Sequence, residues 1–220
     1  MPEVEPDEPD EAAVTAPQQP DENEQPLAEP ESNAAPYLAA RLNERKLSTA
    51  EFLEKRHEKM ILDRLGQIIA AEAPLSSRLL TRRLLQSLGM SRLSPRAQEH
   101  LDALIASLGL KTAEWEGTVY YWTADQEPET YDAYRVSGIG VNKRDASDVP
   151  PWEAAAAVRD VLRNQIALPG SDLVRETAKL LGYTRMGSNV TAAATAGLAM
   201  ATQRGDVTLD RNGHCVLAKD

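Results

Sequence analysis

The stretch LLTRRLLQSLGMSRLSPRAQEHLDALIASLGL, residues 79–110, decides the fold because a second version of it follows later in the chain. Residues 172–205 read DLVRETAKLLGYTRMGSNVTAAATAGLAMATQRG. An internal repeat of this kind indicates two structural units of the same design. With an offset of 93 residues, the matching positions are Leu80 and Leu173, Arg82 and Arg175, Leu88 and Leu181, Gly89 and Gly182, and Arg92 and Arg185.

Each version has the pattern of two amphipathic helices joined by a tight turn. In residues 79–88 the leucines recur at the spacing of a buried helix face. Gly89 is the residue type that ends helices in a left-handed conformation. Ser94 and Pro95 then supply an N-cap and a first helical residue for the next helix. These features predict a helix–turn–helix in each version.

The segment before the first version predicts further helices. Pro36 is expected to open a short helix. Ser48 and Glu51 form a capping box for a longer helix, and this helix should end near Ala73-Pro74 because the residue before a proline disfavours helix.

Two strand-like segments follow the first helix–turn–helix. Residues 110–113 and 118–123 flank Glu116-Gly117, which predicts a β-hairpin. Three helices followed by a hairpin is the order of a winged helix-turn-helix. The second version repeats this order, with helices at 152–165, 172–181 and 188–204 and a hairpin around Asn212-Gly213.

The predicted fold class is therefore mainly α with small β-hairpins, organised as tandem winged helix-turn-helix domains behind a disordered acidic tail. A short strand is expected within residues 131–136. The predicted boundaries are a tail at 1–35, a first winged-helix domain with an N-terminal helical extension at 36–123, a linker at 124–151 and a second winged-helix domain at 152–220.

The acidic residues of the chain are concentrated at its N-terminus. The 220 residues have a net charge of −10, but residues 1–35 contain eleven Asp or Glu and no Lys or Arg. The remainder has 24 basic and 23 acidic residues, a net charge of +1. Prolines and like charges in a segment with few apolar residues predict disorder. The tail is interpreted either as a solvating segment or as an acidic mimic of nucleic acid.

Composition argues against several classes of protein. Cys215 is the single cysteine, which excludes an intramolecular disulfide and a cysteine-rich zinc site. The chain contains no run of about 18 apolar residues, so no membrane span is predicted. The acidic, proline-rich N-terminus is the opposite of a signal or transit peptide, so the cytoplasm is the expected compartment.

The sequence resembles a bacterial domain of unknown function. That domain is found at the C-terminal end of large superfamily I helicase-like proteins, many of which also carry a restriction-endonuclease-like domain. The likeness covers about residues 57–218 and includes YDAYRV and DVPPWEAA between the two versions. The family motif, Gly-aromatic-x-Arg-x-Gly, is complete at residues 182–187, whereas residues 89–94 lack the aromatic residue and the last glycine. The resemblance implies a role attached to nucleic-acid processing or genome defence, and it supplies no catalytic residues.

No motif for catalysis or cofactor binding is present. The chain has no phosphate-binding loop of the G-x-x-x-x-G-K-[ST] type. His57 and His100 are predicted on polar helix faces, and His214 is predicted in a turn beside Cys215 without a second pair of metal ligands. We therefore expect no enzyme activity, no cofactor, no metal and no small-molecule substrate.

The candidate nucleic-acid contacts are mostly basic residues around the two turns. In a helix-turn-helix, the last helix enters the major groove while other residues hold phosphates. The net charge is +3 for residues 36–123 and −2 for residues 124–220, so DNA binding is expected of the first domain. The candidates are Arg82, Arg83, Arg92, Arg96, Lys111, Arg185 and Asn189.

Arg92 and Arg185 occupy the same position of the repeat, and their shared role has two interpretations. Each could donate hydrogen bonds to the free carbonyl groups at the end of the preceding helix. Each could instead contact a phosphate group of DNA.

Two functions follow from the sequence. The first is a non-catalytic, nucleic-acid-associated module that binds DNA and assists a helicase or nuclease. The second is a protein–protein adaptor that uses winged-helix surfaces without contacting DNA, since a fold does not determine a function. The alanine-rich residues 188–204 and the tyrosines and tryptophan of residues 120–122 suit the second function.

Overall fold

The described part of the chain, residues 33–218 of this computed structural model, is mainly helical with small β-sheets. The predicted acidic tail lies outside the described residues, except for its last positions. The helices are α1 (Thr49–Phe52), α2 (Lys55–Glu72), α3 (Ser77–Ser87), α4 (Pro95–Ser107), α5 (Pro151–Gln165), α6 (Gly170–Leu180) and α7 (Ser188–Gln203). The strands are β1 (Ala34–Pro36), β2 (Leu75–Ser76), β3 (Lys111–Trp115), β4 (Thr118–Trp122), β5 (Tyr134–Val136), β6 (Ala167–Leu168), β7 (Val207–Leu209) and β8 (Cys215–Leu217).

The repeat found in the sequence is present in the backbone. Helices α3 and α6 begin at Ser77 and Gly170, and helices α4 and α7 begin at Pro95 and Ser188, so both pairs are 93 residues apart. The first half is the series from α2 to β4, and the second half is the series from α5 to β8. The last helix of the second half, α7, is longer than its counterpart α4. Both halves therefore have the same series of elements: helix, two-residue strand, helix, helix and hairpin.

Local sequence explains where the helices begin and end. The Ser76 side chain accepts a hydrogen bond from the Leu79 amide, and Ser94 accepts one from the Ala97 amide, so both serines are N-caps. Gly89 follows α3 with a φ of 62°, and Gly182 follows α6 with a φ of 92°. These left-handed conformations close both helices, as predicted.

Each half has a three-stranded antiparallel sheet with the same strand order. The orders are β2-β4-β3 and β6-β8-β7, so the last strand lies in the middle of each sheet. Glu116 and Gly117 both have positive φ, which is the conformation of a tight hairpin turn and matches the predicted position. The sequence did not predict β2 and β6, because two residues are too few to show a strand pattern.

The N-terminal segment differs from the prediction. Pro36 does not open a helix, because it ends strand β1, which pairs in parallel with β5. The next amide, of Tyr37, donates to the Val136 carbonyl over 2.9 Å, so strand pairing continues where a helix was expected. The capping box of Ser48 and Glu51 is confirmed, although the helix that it starts is interrupted after Phe52. The extended backbone at Glu54 separates α1 from α2, and Phe52 is fully buried in the core.

Residues 124–151, predicted as a linker, contain ordered and buried structure. They include β5 and two short 3-10 helices, at Gly140–Asn142 and Ala146–Asp148. Arg144 is among the largest fully buried side chains of the described residues. The described residues 33–218 all lie within one compact unit.

Helix α5 lies at the centre of the second half. Eleven of its fifteen residues are buried, in contact with α6, α7 and several strands. Helix α7 approaches it most closely at Gly197, where an added Cβ would lie 2.4 Å from the Ala154 Cβ. The small residues of α7 therefore serve, on one face, to let two helices of this chain pack closely.

Candidate nucleic-acid interface

An open groove crosses the helix–turn–helix of the first half. Its volume is about 870 Å³, and it is lined by residues of α3, the following turn, α4 and β4. Arg78 and Arg82 bring positive charge to it, and Ser91 and Gln98 bring hydrogen-bonding groups. The carboxylate of Asp102 also lines the groove, where it accepts a hydrogen bond from the Gln98 amide over 2.8 Å.

Three arginines of α3, α4 and the turn between them have free guanidinium groups. Arg78 and Arg96 are each the second residue of a helix, in α3 and α4, and Arg92 lies in the turn between these helices. All three side chains are exposed, and within residues 33–218 none of them forms a hydrogen bond or an ion pair. The positive end of a helix dipole adds to the attraction of Arg78 and Arg96 for an anion. Sequence reasoning had identified Arg92 and Arg96 but had not included Arg78.

Arg82 and Arg83 are tied to carboxylates of the same chain. Arg82 pairs with Asp148, whose side chain is only 5% exposed. Arg83 lies 3.1 Å from a carboxylate oxygen of the fully buried Glu72 and donates to the Tyr37 hydroxyl over 2.9 Å. Burial opposes the charge of Arg83, but the contacts with Tyr37 and Glu72 raise the pKa of its guanidinium. Arg83 therefore holds elements of the fold together.

Lys111 is also occupied within the chain. Its ammonium group donates to the Gln126 carbonyl over 2.6 Å and pairs with Glu127 at 2.5 Å. These contacts hold the segment after β4 against β3.

The candidate residues of the second half lie in a different electrostatic setting. Arg185 is exposed and its guanidinium has no partner among the described residues. Asn189, near the beginning of α7, is exposed and lines a small cavity with Ala146 and Ser147, which follow Asp145. Hydrogen bonds from Ser147 lower the pKa of Asp145, and Arg82 and Asn189 lower it further. The beginning of α7 thus has a carboxylate beside it, whereas the beginning of α4 has an arginine.

A buried network of charges that the sequence did not reveal joins the segments around this interface. Arg144 donates to both carboxylate oxygens of Glu153, over 2.8 and 2.9 Å, and Arg135 also pairs with Glu153. The Arg144 guanidinium lies 4.7 Å from the ring centroid of Tyr37, which is the geometry of a cation–π contact. The Tyr37 hydroxyl in turn donates to Glu72. Burial raises the pKa of Tyr37 to about 12, and the Glu72 carboxylate contributes to the shift.

The aromatic residues of β4 face two different cores. Tyr121 packs on the core of the first half and lines the groove. Tyr120 and Trp122 belong to a second core and meet Trp152 of α5 edge to face, with ring centroids 5.2 and 5.3 Å apart. Two of the three aromatic residues expected as an adaptor surface are therefore buried inside this chain.

His100 and Cys215 both pack inside the chain. His100, predicted on a polar face, packs edge-on against Phe52 with ring centroids 5.9 Å apart. Cys215 is buried, and burial raises the pKa of its thiol. Within residues 33–218, no three His, Cys, Asp or Glu side chains are grouped so that they could hold a metal ion. None of the helices in this range combines the length and the apolar character needed to cross a bilayer.

The two halves share one backbone design but differ in the charge at their helix–turn–helix. The first half has a groove and three free arginines, whereas the second half has carboxylates near α7. Arginines at the beginning of a helix and in a helix–turn–helix turn suit phosphate groups. In comparisons with known proteins, no family model, no curated protein and no solved structure matches this chain.

Proposed function

We propose that this chain is a non-catalytic DNA-binding module that binds duplex DNA through its first half. In this proposal both halves are winged helices, and the module assists a helicase or nuclease supplied by another chain. The strand order of the two sheets supports the winged-helix interpretation, because the two-residue strand pairs with the last strand of the hairpin in both halves. The link to nucleic-acid processing rests on the resemblance of residues 57–218 to the domain found in helicase-like proteins.

The observation that carries the proposal is the set of free arginines of α3, α4 and the turn between them. Arg78, Arg92 and Arg96 are exposed, charged and without carboxylate partners in the described residues. A free guanidinium group can neutralise a phosphate without first losing an internal ion pair. Helix α4 would then enter the major groove by its beginning, and the beginning of α3 would face the phosphate backbone.

The second half is not expected to hold DNA in the same way. Its last helix has Asn189 where the first half has Arg96, and Asp145 lies beside that residue. A carboxylate at this place repels phosphate. In the proposal the second half instead supports the first, because its α5 carries the core against which β4 packs.

The test is binding of the full chain to a fluorescently labelled duplex, followed by anisotropy over a series of salt concentrations. We expect the triple variant Arg78→Ala/Arg92→Ala/Arg96→Ala to reduce the slope of log K against log salt by about 2.7, at about 0.9 for each lost phosphate contact. A single strand of the same sequence is measured alongside and should bind more weakly than the duplex.

The control variant removes the same charge elsewhere on the surface. Arg56→Ala/Arg175→Ala/Lys179→Ala also removes three positive charges, each from an exposed side chain that has a local ion pair. The control should change the slope by less than about 0.5. Equal effects of the two triple variants, or no binding by the unaltered chain at low salt, would refute the proposal.

A specific observation favours a protein adaptor as the second candidate. Ile166 and Leu209 of the second half are 79% and 65% exposed, and large apolar side chains at such exposure suit a protein partner. In that case Ile166→Ser/Leu209→Ser should abolish binding to the partner and leave DNA affinity unchanged.

A further inference from the structure

The segment after β5 ends in an acidic turn, residues 145–148, that approaches candidate DNA contacts of both halves. Asp148 of this turn pairs with Arg82, which lines the groove of the first half. Ala146 and Ser147 of the turn line a small cavity together with Asn189, near the beginning of α7. Of the residues that the sequence assigned to nucleic acid, Arg82 thus pairs with a carboxylate of this turn, and Asn189 lies near the turn.

The acidic turn is held firmly in this position. Asp145 caps the short 3-10 helix by accepting a hydrogen bond from the Ser147 amide over 2.9 Å. The buried Arg144 donates to the Asp148 carbonyl over 3.0 Å and is itself fixed by two hydrogen bonds to Glu153. The turn therefore does not need to order itself in order to reach Arg82.

The exposed fractions of Arg82 and Asp148 indicate which of the two side chains depends more on their ion pair. The Asp148 side chain is 5% exposed, and Arg82 is its partner, whereas the Arg82 side chain is 47% exposed. A buried carboxylate that loses its counter-charge is costly, so Asp148 retains Arg82 against competitors in solution. A phosphate group in the groove would have to compete with this internal carboxylate for the same guanidinium.

We infer that the acidic turn is an internal competitor of DNA, which takes the place of a phosphate group at Arg82 and lowers the affinity of the module. This inference rests on the proposed function and adds a form of regulation to the same interface. It also distinguishes Arg82, which is restrained, from the free Arg78, Arg92 and Arg96. In the unaltered chain, Arg82 contributes little to DNA binding.

The test neutralises the turn in the full chain. Asp145→Asn/Asp148→Asn should raise the affinity for duplex DNA about tenfold, the effect of one charge-assisted hydrogen bond. It should also steepen the salt slope by about 0.9, because one more phosphate contact forms. Adding Arg82→Ala should remove this gain, whereas Arg82→Ala alone should change the affinity less than about twofold.

The matched control neutralises two carboxylates on α6. Asp172→Asn/Glu176→Gln makes the same change of net charge and frees Arg175 and Lys179 from exposed ion pairs. Its affinity should stay within about twofold of the unaltered chain if the effect is local rather than a general effect of charge. Circular dichroism verifies that each variant is folded, and each single variant, Asp145→Asn and Asp148→Asn, is measured with the double variant.

The outcomes separate the two proposals. A gain that depends on Arg82 and is absent from the control supports the inference. Equal gains in the α6 control, or an equal cost of Arg82→Ala in both backgrounds, overturn the inference and leave the proposed function standing. Failure of every folded variant to bind DNA at low salt overturns both.

Discussion

Arg144 and Glu153 form a buried, two-bonded ion pair, with hydrogen bonds of 2.8 and 2.9 Å and side chains no more than 1% exposed. Burial alone would raise the pKa of Glu153, but Arg135 and Arg144 lower it to about 2. In an unfolded chain, a glutamate has a pKa of about 4.3. The pair therefore stabilises the fold fully above that pH, and its contribution is lost as the pH falls toward 2.

The free energy of unfolding should decrease by about 3 kcal/mol through this group alone as the pH falls from about 5 to about 1. Urea titrations at several pH values measure the decrease. The part that belongs to Glu153 is obtained by comparison with Glu153→Gln, whose stability should depend less on pH in this range. Identical pH profiles for the two proteins would contradict the prediction.

Glu153→Gln should also destabilise the fold at neutral pH, by about 3–5 kcal/mol, because it leaves buried guanidinium groups without a counter-charge. The matched control is Glu176→Gln, which breaks an ion pair between Glu176 and the exposed Lys179 and should cost less than about 1 kcal/mol. Chemical denaturation of both variants gives the comparison.

Gly197→Ala and Gly66→Ala should have opposite effects on the melting temperature. A Cβ on Gly197 would lie 2.6 Å from the backbone carbon of Ala154, and backbone cannot move as a side chain does, so we expect a loss of at least about 1–3 kcal/mol. Gly66 lies inside α2 with open space around its added Cβ, so alanine should stabilise the helix by about 0.5–1 kcal/mol. An unchanged melting temperature of Gly197→Ala would contradict the close packing of α5 and α7.

Arg92→Ala and Arg185→Ala should leave the stability within about 0.5 kcal/mol of the unaltered chain. The alternative role, donation to carbonyl groups at the end of the preceding helix, has no matching hydrogen bond at either residue within the described chain. Arg83→Ala is the contrasting variant, because it removes the counter-charge of the buried Glu72 and should cost about 3–5 kcal/mol. Thermal melts of the three variants test whether Arg92 and Arg185 stabilise the fold, as Arg83 does, or are free to contact a ligand.

The two halves should unfold in a single transition. Tyr120 and Trp122 of the first half lie in the core that contains Trp152 and Leu173 of the second half, so neither half retains an intact core without the other. Calorimetry should give equal calorimetric and van't Hoff enthalpies. Two separate transitions would instead favour the predicted division at residues 124–151.

Local signals in the sequence accounted for the helices of both halves. Ser94 and Pro95 begin α4, and Gly89 closes α3, because each of these roles depends on the backbone chemistry of one residue. The prediction of a helix at Tyr37 was wrong, because the conformation there depends on a distant contact and not on local sequence. It is set by strand β5, which lies about 100 residues further along the chain.

The candidate interface was harder to predict, because an arginine on a polar helix face looks the same whether or not it has a partner. Arg82 and Arg83 are neighbours in the sequence, and their carboxylates are 66 and 11 residues away. Neither pairing has a sequence signature. Arg92 and Arg96 could be identified because they lie in and directly after the turn, whereas Arg78 was overlooked because it lies at the other end of α3.

Strand β4 packs against a different core on each face, and this limits how the chain can change in length. Successive residues of β4 alternate between the two cores. If one residue is added to the Glu116-Gly117 turn, β4 can shift by one position against β3. Tyr121 would then take the place of Tyr120 or Trp122 and face the wrong core. An insertion there would disturb both halves at once. Two added residues would restore the alternation of faces, so the hairpin should tolerate changes in length by even numbers far better than by odd ones.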